Sequence, residues 1–476
     1  MPTIYALSTA PAKAAIAIVR VSGTHSREVY KLLTRRVTNP KPRVPQLSTI
    51  YNDSGEVIDH ALTLFFAGPK SYSGEDLLEL HLHGGTAIVR ATLDTIKLLD
   101  TSSRQIRYAE GGEFSRRAFQ NGRLDLTQIE GIRDIIDAQT ESQRKVAIGS
   151  ASGKTKALYE SWRTEIVKNM ALLTALIDFS EDADIESAGE LFSQARANIL
   201  ILIDDINKHF KQIERSELLM SGIKLNLMGP PNAGKSSILN LIANRDAAIV
   251  SNIAGTTRDI LEISMDIGGY KVVLGDTAGL RKSKFVNEIE AEGIRRAKNR
   301  FKNSDIVLTV ISVPERDFSV DSLVDDLIVE EAKALSDKEI VVIVNKTDFL
   351  GKDKQPDDIK DHIASRLNIN KSNIHLVSCL TNNGIPELLS SLTSKFSRMT
   401  LADDSEPIGA SQRVKDLLQK DVLENLERFV TMEDHDVAFA TEELRYAAEG
   451  IGKITGDSVG IEEVLGVVFS SFCVGK

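Results

Sequence analysis

The sequence predicts a multidomain protein: an α+β N-terminal domain, an α-helical domain, and an α/β domain inserted into the helical one. Three observations predict it. Short strands and helices mix up to about residue 125, helical periodicity flanks residues 221–383, and inside that window apolar strands alternate with amphipathic helices. The length of 476 residues agrees, since roughly 150 residues per domain gives about three domains. An apolar content of 42% with 26% charged residues lies in the globular range and excludes wholesale disorder.

In the first region Ala14–Val21 is β-rich around Arg20, and Ala61–Phe66 is a second apolar stretch. Leu77–His83 alternates, with Leu78, Leu80 and Leu82 on one side and Glu79, His81 and His83 on the other. Glycine pairs at Gly84-Gly85 and Gly111-Gly112 punctuate the region. From Leu126 to about Met220 the pattern is helical, and Ile199, Ile203, Ile206, Phe210 and Ile213 predict one buried face. The acidic stretch Glu181–Glu190 reads as a solvated loop. Helical character returns beyond Pro386, with Leu417, Leu418, Val422, Leu426 and Val430 as its clearest stripe. The domain boundaries are therefore 1–125, 126–220, 221–383 and 384–476, the second and last forming one helical domain. A mostly parallel sheet is expected in residues 221–383.

The 58 basic and 68 acidic residues leave a net charge of −10, so bulk charge cannot hold a nucleic acid. Any RNA contact is a local patch or belongs to a partner. Cys379 and Cys473 are too few and too far apart for a disulfide framework or a zinc site, which fits a reducing compartment. No apolar run approaches the ~18 residues of a membrane span.

Gly229-Pro230-Pro231-Asn232-Ala233-Gly234-Lys235-Ser236 is a G-x-x-x-x-G-K-S phosphate loop between a strand and a helix, followed by Ser237. Its backbone N–H groups and the helix N-terminus suit phosphate oxygens; Lys235 would reach the β/γ-phosphates and Ser236 would ligate Mg²⁺. Asp276-Thr277-Ala278-Gly279 follows a strand, placing a carboxylate where Mg²⁺ is held through water and an N–H that senses the γ-phosphate. Asn345-Lys346-Thr347-Asp348 follows another. Asp348 can accept two hydrogen bonds from an edge that guanine has and adenine lacks, which selects GTP. Ser378-Cys379-Leu380 would pack on the base. Four elements in this order describe a Ras-like P-loop GTPase domain. Leu280 stands where many small GTPases keep a water-orienting Gln, so that task passes to the segment beyond it, where Glu288, Glu290 and Glu292 are candidates.

These motifs, with Ile253-Ala254-Gly255-Thr256-Thr257-Arg258-Asp259 and the terminal Phe472-Cys473-Val474-Gly475-Lys476, resemble the MnmE (TrmE) family of tRNA-modification GTPases. Ser71–Leu80, Gly112–Phe119 and Leu124-Asp125-Leu126 with Glu130 look like the same family, so the resemblance covers nearly the whole chain. It implies an N-terminal domain that dimerises and binds a one-carbon tetrahydrofolate (the 5-formyl or 5,10-methylene form). It also implies that Asn232, Ser251, Ile253 and Thr256 ligate K⁺ in the place of an arginine finger. Ser236 and Thr257 would hold Mg²⁺, while Asn252, Ala254 and Gly255 complete the switch segment around the nucleotide. Glu290 matches the family's water-orienting glutamate, with Glu288 or Glu292 as the alternatives of a shifted alignment. Folate contacts carry over to Arg20, Glu79, Arg123 and Lys476, and Cys473 to a thiol near the folate.

The resemblance further implies a homodimer and an FAD-dependent partner of the MnmG (GidA) family that holds most of the tRNA. Together they would install an aminomethyl-type group at C5 of the wobble uridine. Thr3-Ile4-Tyr5-Ala6-Leu7-Ser8 looks like the mitochondrial branch, which would place the protein in the mitochondrial matrix, with the bacterial cytoplasm as the alternative. The rival reading is an RNA- or ribosome-binding switch GTPase that modifies nothing; the N-terminal region and Cys473 favour modification.

Overall fold

A computed structural model of the chain describes residues 1–178, 185–245, 249–252, 263–274, 304–315, 318–333, 335, 338–351, 354–400, 409–457 and 475. At 178, 185–188, 243–245, 249–252, 327 and 331 it describes the backbone alone. The chain divides into two compact units: Met1–Arg133 with Ser150–Ile206 and Ser411–Lys476, and Asp134–Gly149 with Asn207–Ala410.

In the first unit β1 (Thr3–Leu7), β2 (Ile16–Ser22), β3 (Gln46–Tyr51), β4 (Val57–Phe66), β5 (Leu77–His83) and β6 (Ile106–Tyr108) form a sheet in the order β3-β4-β5-β2-β1-β6. Neighbours run antiparallel except β1 and β6, which are parallel. The alternation read in the sequence sets which residues meet the core. Leu78, Leu80 and Leu82 lie buried with Val19 and Val21, against Val29 and Leu33 of α1 (Ser26–Thr34) and Ile96 of α2 (Thr86–Leu98). Each such side chain contributes about 1.5–3 kcal/mol by leaving water. On the opposite face Arg20, Glu79 and His81 are only partly buried, and Ile16, Leu47 and Leu62 are 59%, 71% and 40% exposed.

Helices follow: α3 (Glu113–Gln120), α4 (Leu126–Asp137), α5 (Glu141–Ala151), α6 (Lys154–Asp178) and α7 (Ile185–Ser221). Asp125 starts α4 by accepting hydrogen bonds from the N–H groups of Thr127 (2.8 Å) and Gln128 (3.1 Å), satisfying donors that lack a partner within the helix. The helix Val437–Thr455 packs along α6. Residues 412–431 form one helical run with a π turn at Leu418–Leu423, which brings Val414, Leu418, Val422, Leu423, Leu426 and Phe429 into the core. Two expectations need correction. The loop expected over Glu181–Glu190 is helical from Ile185 onward. The buried stripe of α7 is Ile199, Leu202, Ile206, His209 and Ile213, so Leu202 rather than Ile203, and His209 rather than Phe210, hold the inward positions. A helix advances 100° per residue, so the neighbours His209 and Phe210 fall on either side of the seam.

In the second unit β7 (Ile223–Met228), β8 (Ile249–Asn252), β9 (Ile263–Ile267), β10 (Tyr270–Leu274), β11 (Ile306–Ser312), β12 (Glu339–Asn345) and β13 (Ile374–Leu376) build a sheet in the order β13-β12-β11-β7-β10-β9-β8. The strands from β13 to β10 are parallel; β9 and β8 run antiparallel at one edge. The parallel strands are Val/Ile runs buried on both faces, as helices on each side require. The β9–β10 turn explains the antiparallel edge: Gly268 and Gly269 take φ of 61° and 86°, the two left-handed positions of a two-residue hairpin.

Candidate functional site

The nucleotide site is assembled at the C-terminal ends of β7 and β12, where ligands of open parallel sheets collect. β7 ends at Met228, directly before Gly229, and α8 (Lys235–Arg245) begins at Lys235. Gly229 has φ 138° and a Cβ there would lie 2.0 Å from the Val310 carbonyl oxygen. Gly234 has φ 98° and a Cβ would meet Asn345 Nδ2 at 2.0 Å. Both glycines are therefore demanded by close approach. Asn232 takes the left-handed φ of 62° at the crest of the loop and is exposed, as are Ser236 and Ser237, while Ala233 is buried. Lys235 Nζ donates to the carbonyls of Gly229 (2.5 Å) and Pro230 (2.8 Å), and burial pulls its pKa below the usual lysine range. An ammonium held only by carbonyl oxygens gains from a phosphate placed beside it.

Asn345 stitches the site together. Its Nδ2 donates to the Ala233 carbonyl at 3.0 Å, and its Oδ1 accepts from the Cys379 N–H at 3.4 Å, so the phosphate loop and the base loop share one buried amide. Ser378 Oγ donates to Asp348 Oδ1 at 2.6 Å and accepts from the Thr381 N–H at 3.2 Å. Lys346 is left-handed at φ 62°, turning the chain so that Asp348 follows on the exposed side. Leu380 is 82% exposed and Phe349 43% exposed. The Cys379 thiol is half-buried, and burial pushes its pKa up. These residues fit a guanine nucleotide: backbone donors and a lysine for phosphates, and a carboxylate oriented by a serine for the base. Thr381 and Phe349 were not among the sequence-derived residues; each directly borders one that was.

Ile253, Ala254, Gly255, Thr256 and Thr257, the run Asp276, Thr277, Ala278 and Gly279, and Glu288, Glu290 and Glu292 lie outside the described residues. Ser251 and Asn252 are described in backbone only, where they pair with Ser264 and Ile263.

The second cluster lies on the open face of the N-terminal sheet. Arg20 and Glu79 are cross-strand partners on β2 and β5, joined by hydrogen bonds of 2.9 and 3.2 Å to one carboxylate oxygen. His81 Nε2 approaches the other oxygen at 3.3 Å. The Arg20 guanidinium stacks 5.3 Å from the Tyr72 ring centre and 5.7 Å from that of Phe114. Tyr72 in turn shares a 2.8 Å hydrogen bond with Ser115. Buried Arg117 of α3, the helix that carries Phe114, donates to Glu75, Glu113 and the Pro2 carbonyl and so ties α3 to the loop that carries Tyr72. Arg123 is exposed and donates to the Ser71 carbonyl at 3.1 Å. Tyr72, Phe114 and His81 were missed as site members, although all three lie in the motifs or on the alternating face already read.

Gly475 is seated against the end of β1. Ser8 Oγ donates to its carbonyl at 2.9 Å, and a Cβ on Gly475 (φ 96°) would lie 2.1 Å from the Leu7 carbonyl oxygen. Leu7 pairs with Val19, one residue from Arg20. Cys473 and Lys476 lie outside the described residues. A cavity of about 200 Å³ near Leu7, Ala17, Gly84 and Leu93 contains none of the sequence-derived residues.

Comparison with known proteins agrees with this geometry. Residues 3–123 match the family described as GTP-binding protein TrmE N-terminus, and residues 126–473 match the MnmE helical domain. The chain is 44% identical to "tRNA modification GTPase MSS1, mitochondrial" of Saccharomyces cerevisiae, over all of this chain and 93% of that one. It is 39% identical to "tRNA modification GTPase gtpbp3, mitochondrial" of Dictyostelium discoideum, over all of this chain and 95% of that one. Against "tRNA modification GTPase MnmE" of Rickettsia rickettsii the identity is 40% over the full length of both. With its phosphate loop in place and both family models matched in order, the chain belongs to the MnmE (TrmE) family of tRNA-modification GTPases.

Proposed function

We propose that the protein is a K⁺-dependent GTP hydrolase that works with an FAD-dependent MnmG-type partner. Together they install a carboxymethylaminomethyl-type or related aminomethyl group at C5 of the tRNA wobble uridine, using one-carbon tetrahydrofolate. In this reading residues 1–125 bind folate and dimerise, 126–220 with 384–476 form the helical domain, and 221–383 bind GTP and Mg²⁺. The mitochondrion is the place of action, supported by the names of the yeast and Dictyostelium relatives, and within it the matrix.

One observation carries the reading: a chain with a guanine-nucleotide loop also holds a half-buried carboxylate, Glu79, on an aromatic-backed sheet face. Glu79 would accept from the amino and amide N–H groups of a pterin, as Asp348 would from guanine, and Arg20, Arg123 and Lys476 would meet the acidic tail. The seat of Gly475 at the end of β1 supports a role for the C-terminal motif at this sheet. The exposed apolar residues Ile16, Leu47 and Leu62 on that face support a homodimer. A switch that modifies nothing has no use for this face.

In the nucleotide site Lys235 would move from its loop carbonyls to the phosphates, Ser236 and Thr257 would hold Mg²⁺, and Asn232 would present its amide oxygen to K⁺ together with Ser251, Ile253 and Thr256. Bound K⁺ would supply positive charge to the transition state. Glu290 would orient the attacking water. Exchanging Na⁺ for K⁺ is expected to accelerate GTP hydrolysis by at least tenfold; equal rates in the two salts would remove Asn232 from this role.

A further inference from the structure

Two groups of basic residues in the N-terminal domain contrast. Arg20, Arg27, Arg104, Arg107, Arg116 and Arg117 each lie 2.7–3.0 Å from a carboxylate. From the last turn of α1 to the start of β3 the pattern reverses. Lys31, Arg35, Arg36, Lys41 and Arg43, joined by Lys70, make no ion pair among the described residues, and no Asp or Glu occurs from residue 29 to residue 52. This happens in a chain of net charge −10.

The three arginines are nevertheless fixed in place. Arg36 donates to the Leu47 carbonyl at 2.9 Å and reaches Tyr30 and Gln46 at 3.4 Å. Arg43, left-handed at φ 58°, donates to the Lys70 carbonyl at 2.6 Å, which brings Lys70 beside it. Arg35, left-handed at φ 55° where α1 ends, lays its guanidinium 5.0 Å from the centre of the Tyr51 ring. Arg36 marks the start of β3 and Arg35 its end, and five residues of strand cover about 17 Å. Because β3 is the outermost strand, this row of cations runs along an open sheet edge. The carboxylates nearest in sequence to Tyr51, Asp53 and Glu56, form no ion pair with Arg35, and Glu56 is engaged by Asn52.

We propose that the α1–β3 edge is a docking surface for tRNA phosphates, with Arg35, Arg36 and Arg43 as its contacts. The inference rests on tRNA being the substrate. Planar guanidinium groups held by neutral acceptors and one aromatic ring keep their charge unneutralised and lose little freedom when a phosphate arrives. The acidic remainder of the chain repels a polyanion, so it would approach by this edge. Val37 and Val44, exposed between the cations at 92% and 44%, make an anionic membrane the competing occupant. The fixed arginine geometry favours RNA.

The test uses the full-length chain, an unmodified tRNA transcript and fluorescence anisotropy across a KCl series. Replacing Arg35, Arg36 and Arg43 together by Gln is expected to weaken tRNA binding at least tenfold and to reduce the slope of log affinity against log salt by about two to three. GTP hydrolysis should change less than twofold. Replacing the three by Lys should keep affinity within about threefold, because phosphates accept a point charge, while circular dichroism verifies the fold of both variants. Three outcomes would overturn the proposal: wild-type affinity and slope in the Gln variant, equal losses in the Lys and Gln variants, or loss of binding only to cardiolipin-containing vesicles. Failure of the folate or K⁺ reading would show instead in wobble-uridine analysis or in hydrolysis rates, with tRNA binding intact.

Discussion

The two candidate sites are built by opposite means. The nucleotide site consists largely of backbone, held by one buried amide: Asn345 ties Ala233 to Cys379, and Gly229 and Gly234 admit nothing larger. The face of the N-terminal sheet is built of side chains from separate strands, a loop and a helix, Arg20, Glu79, His81, Tyr72 and Phe114, which neutralise and stack on one another. A backbone site specifies its ligand by shape and tolerates few substitutions. A side-chain site has its ligand's complementary charges already paired internally, and the incoming molecule must displace those pairs. The difference teaches where each site is vulnerable: the first in its geometry, the second in single functional groups.

Four experiments would break or sharpen that contrast. The largest effect is expected from Asp348→Asn, which cannot accept from both guanine donors. GTP selectivity over xanthosine triphosphate should fall by roughly 10³–10⁴ in kcat/KM, with folate affinity unchanged. If selectivity persists in competition assays, base recognition lies elsewhere. Gly475→Ala should cut tRNA modification by about a hundredfold while sparing GTP hydrolysis, since its Cβ would have to displace the Leu7 carbonyl. Unimpaired wobble modification, read by nucleoside mass spectrometry, would show that the seat is incidental. Glu79→Gln should weaken tetrahydrofolate binding by roughly tenfold to a hundredfold in calorimetry, the cost of a lost charged acceptor. Unchanged affinity would disconnect this carboxylate from the pterin.

The smallest effect concerns His209, buried in α7 at 3% exposure, where desolvation lowers its pKa to about 4. The folded pKa lies below the unfolded value of about 6.5, so below pH 6.5 the unfolded chain takes up a proton that the folded chain refuses. Stability is then fully present above pH 6.5 and falls by at most about 1.4 kcal/mol per pH unit toward pH 4. Urea midpoints at pH 7 and pH 5.5 should converge in His209→Gln; an unaltered pH slope would assign the effect to other groups.

Legibility in the sequence followed the same division. The phosphate loop and the Asn345–Asp348 and Ser378–Leu380 segments could be read directly, because their chemistry sits in consecutive residues whose spacing the backbone fixes. Arg20 and Glu79 could be read only through resemblance: they are 59 positions apart, and nothing local announces that β2 and β5 are neighbours in this register. Their aromatic backing escaped notice because Tyr72 and Phe114 look like ordinary core residues until the loops are folded. In α7, periodicity found the helix and its approximate face but chose Phe210, since hydrophobicity ranks it above His209. The antiparallel edge β8–β9 was lost for another reason: helix-length separations announce parallel crossovers, whereas a Gly-Gly pair reverses the chain within two residues.

The bond from Ser8 to Gly475 joins positions 467 apart. During synthesis, therefore, the second unit has all its residues outside the ribosome before the first can be closed. β1 waits for a residue made 467 positions later to complete its surroundings. A chain that stalls or is clipped between the second unit and Gly475 would carry a complete phosphate loop while the end of β1 lacked its cover.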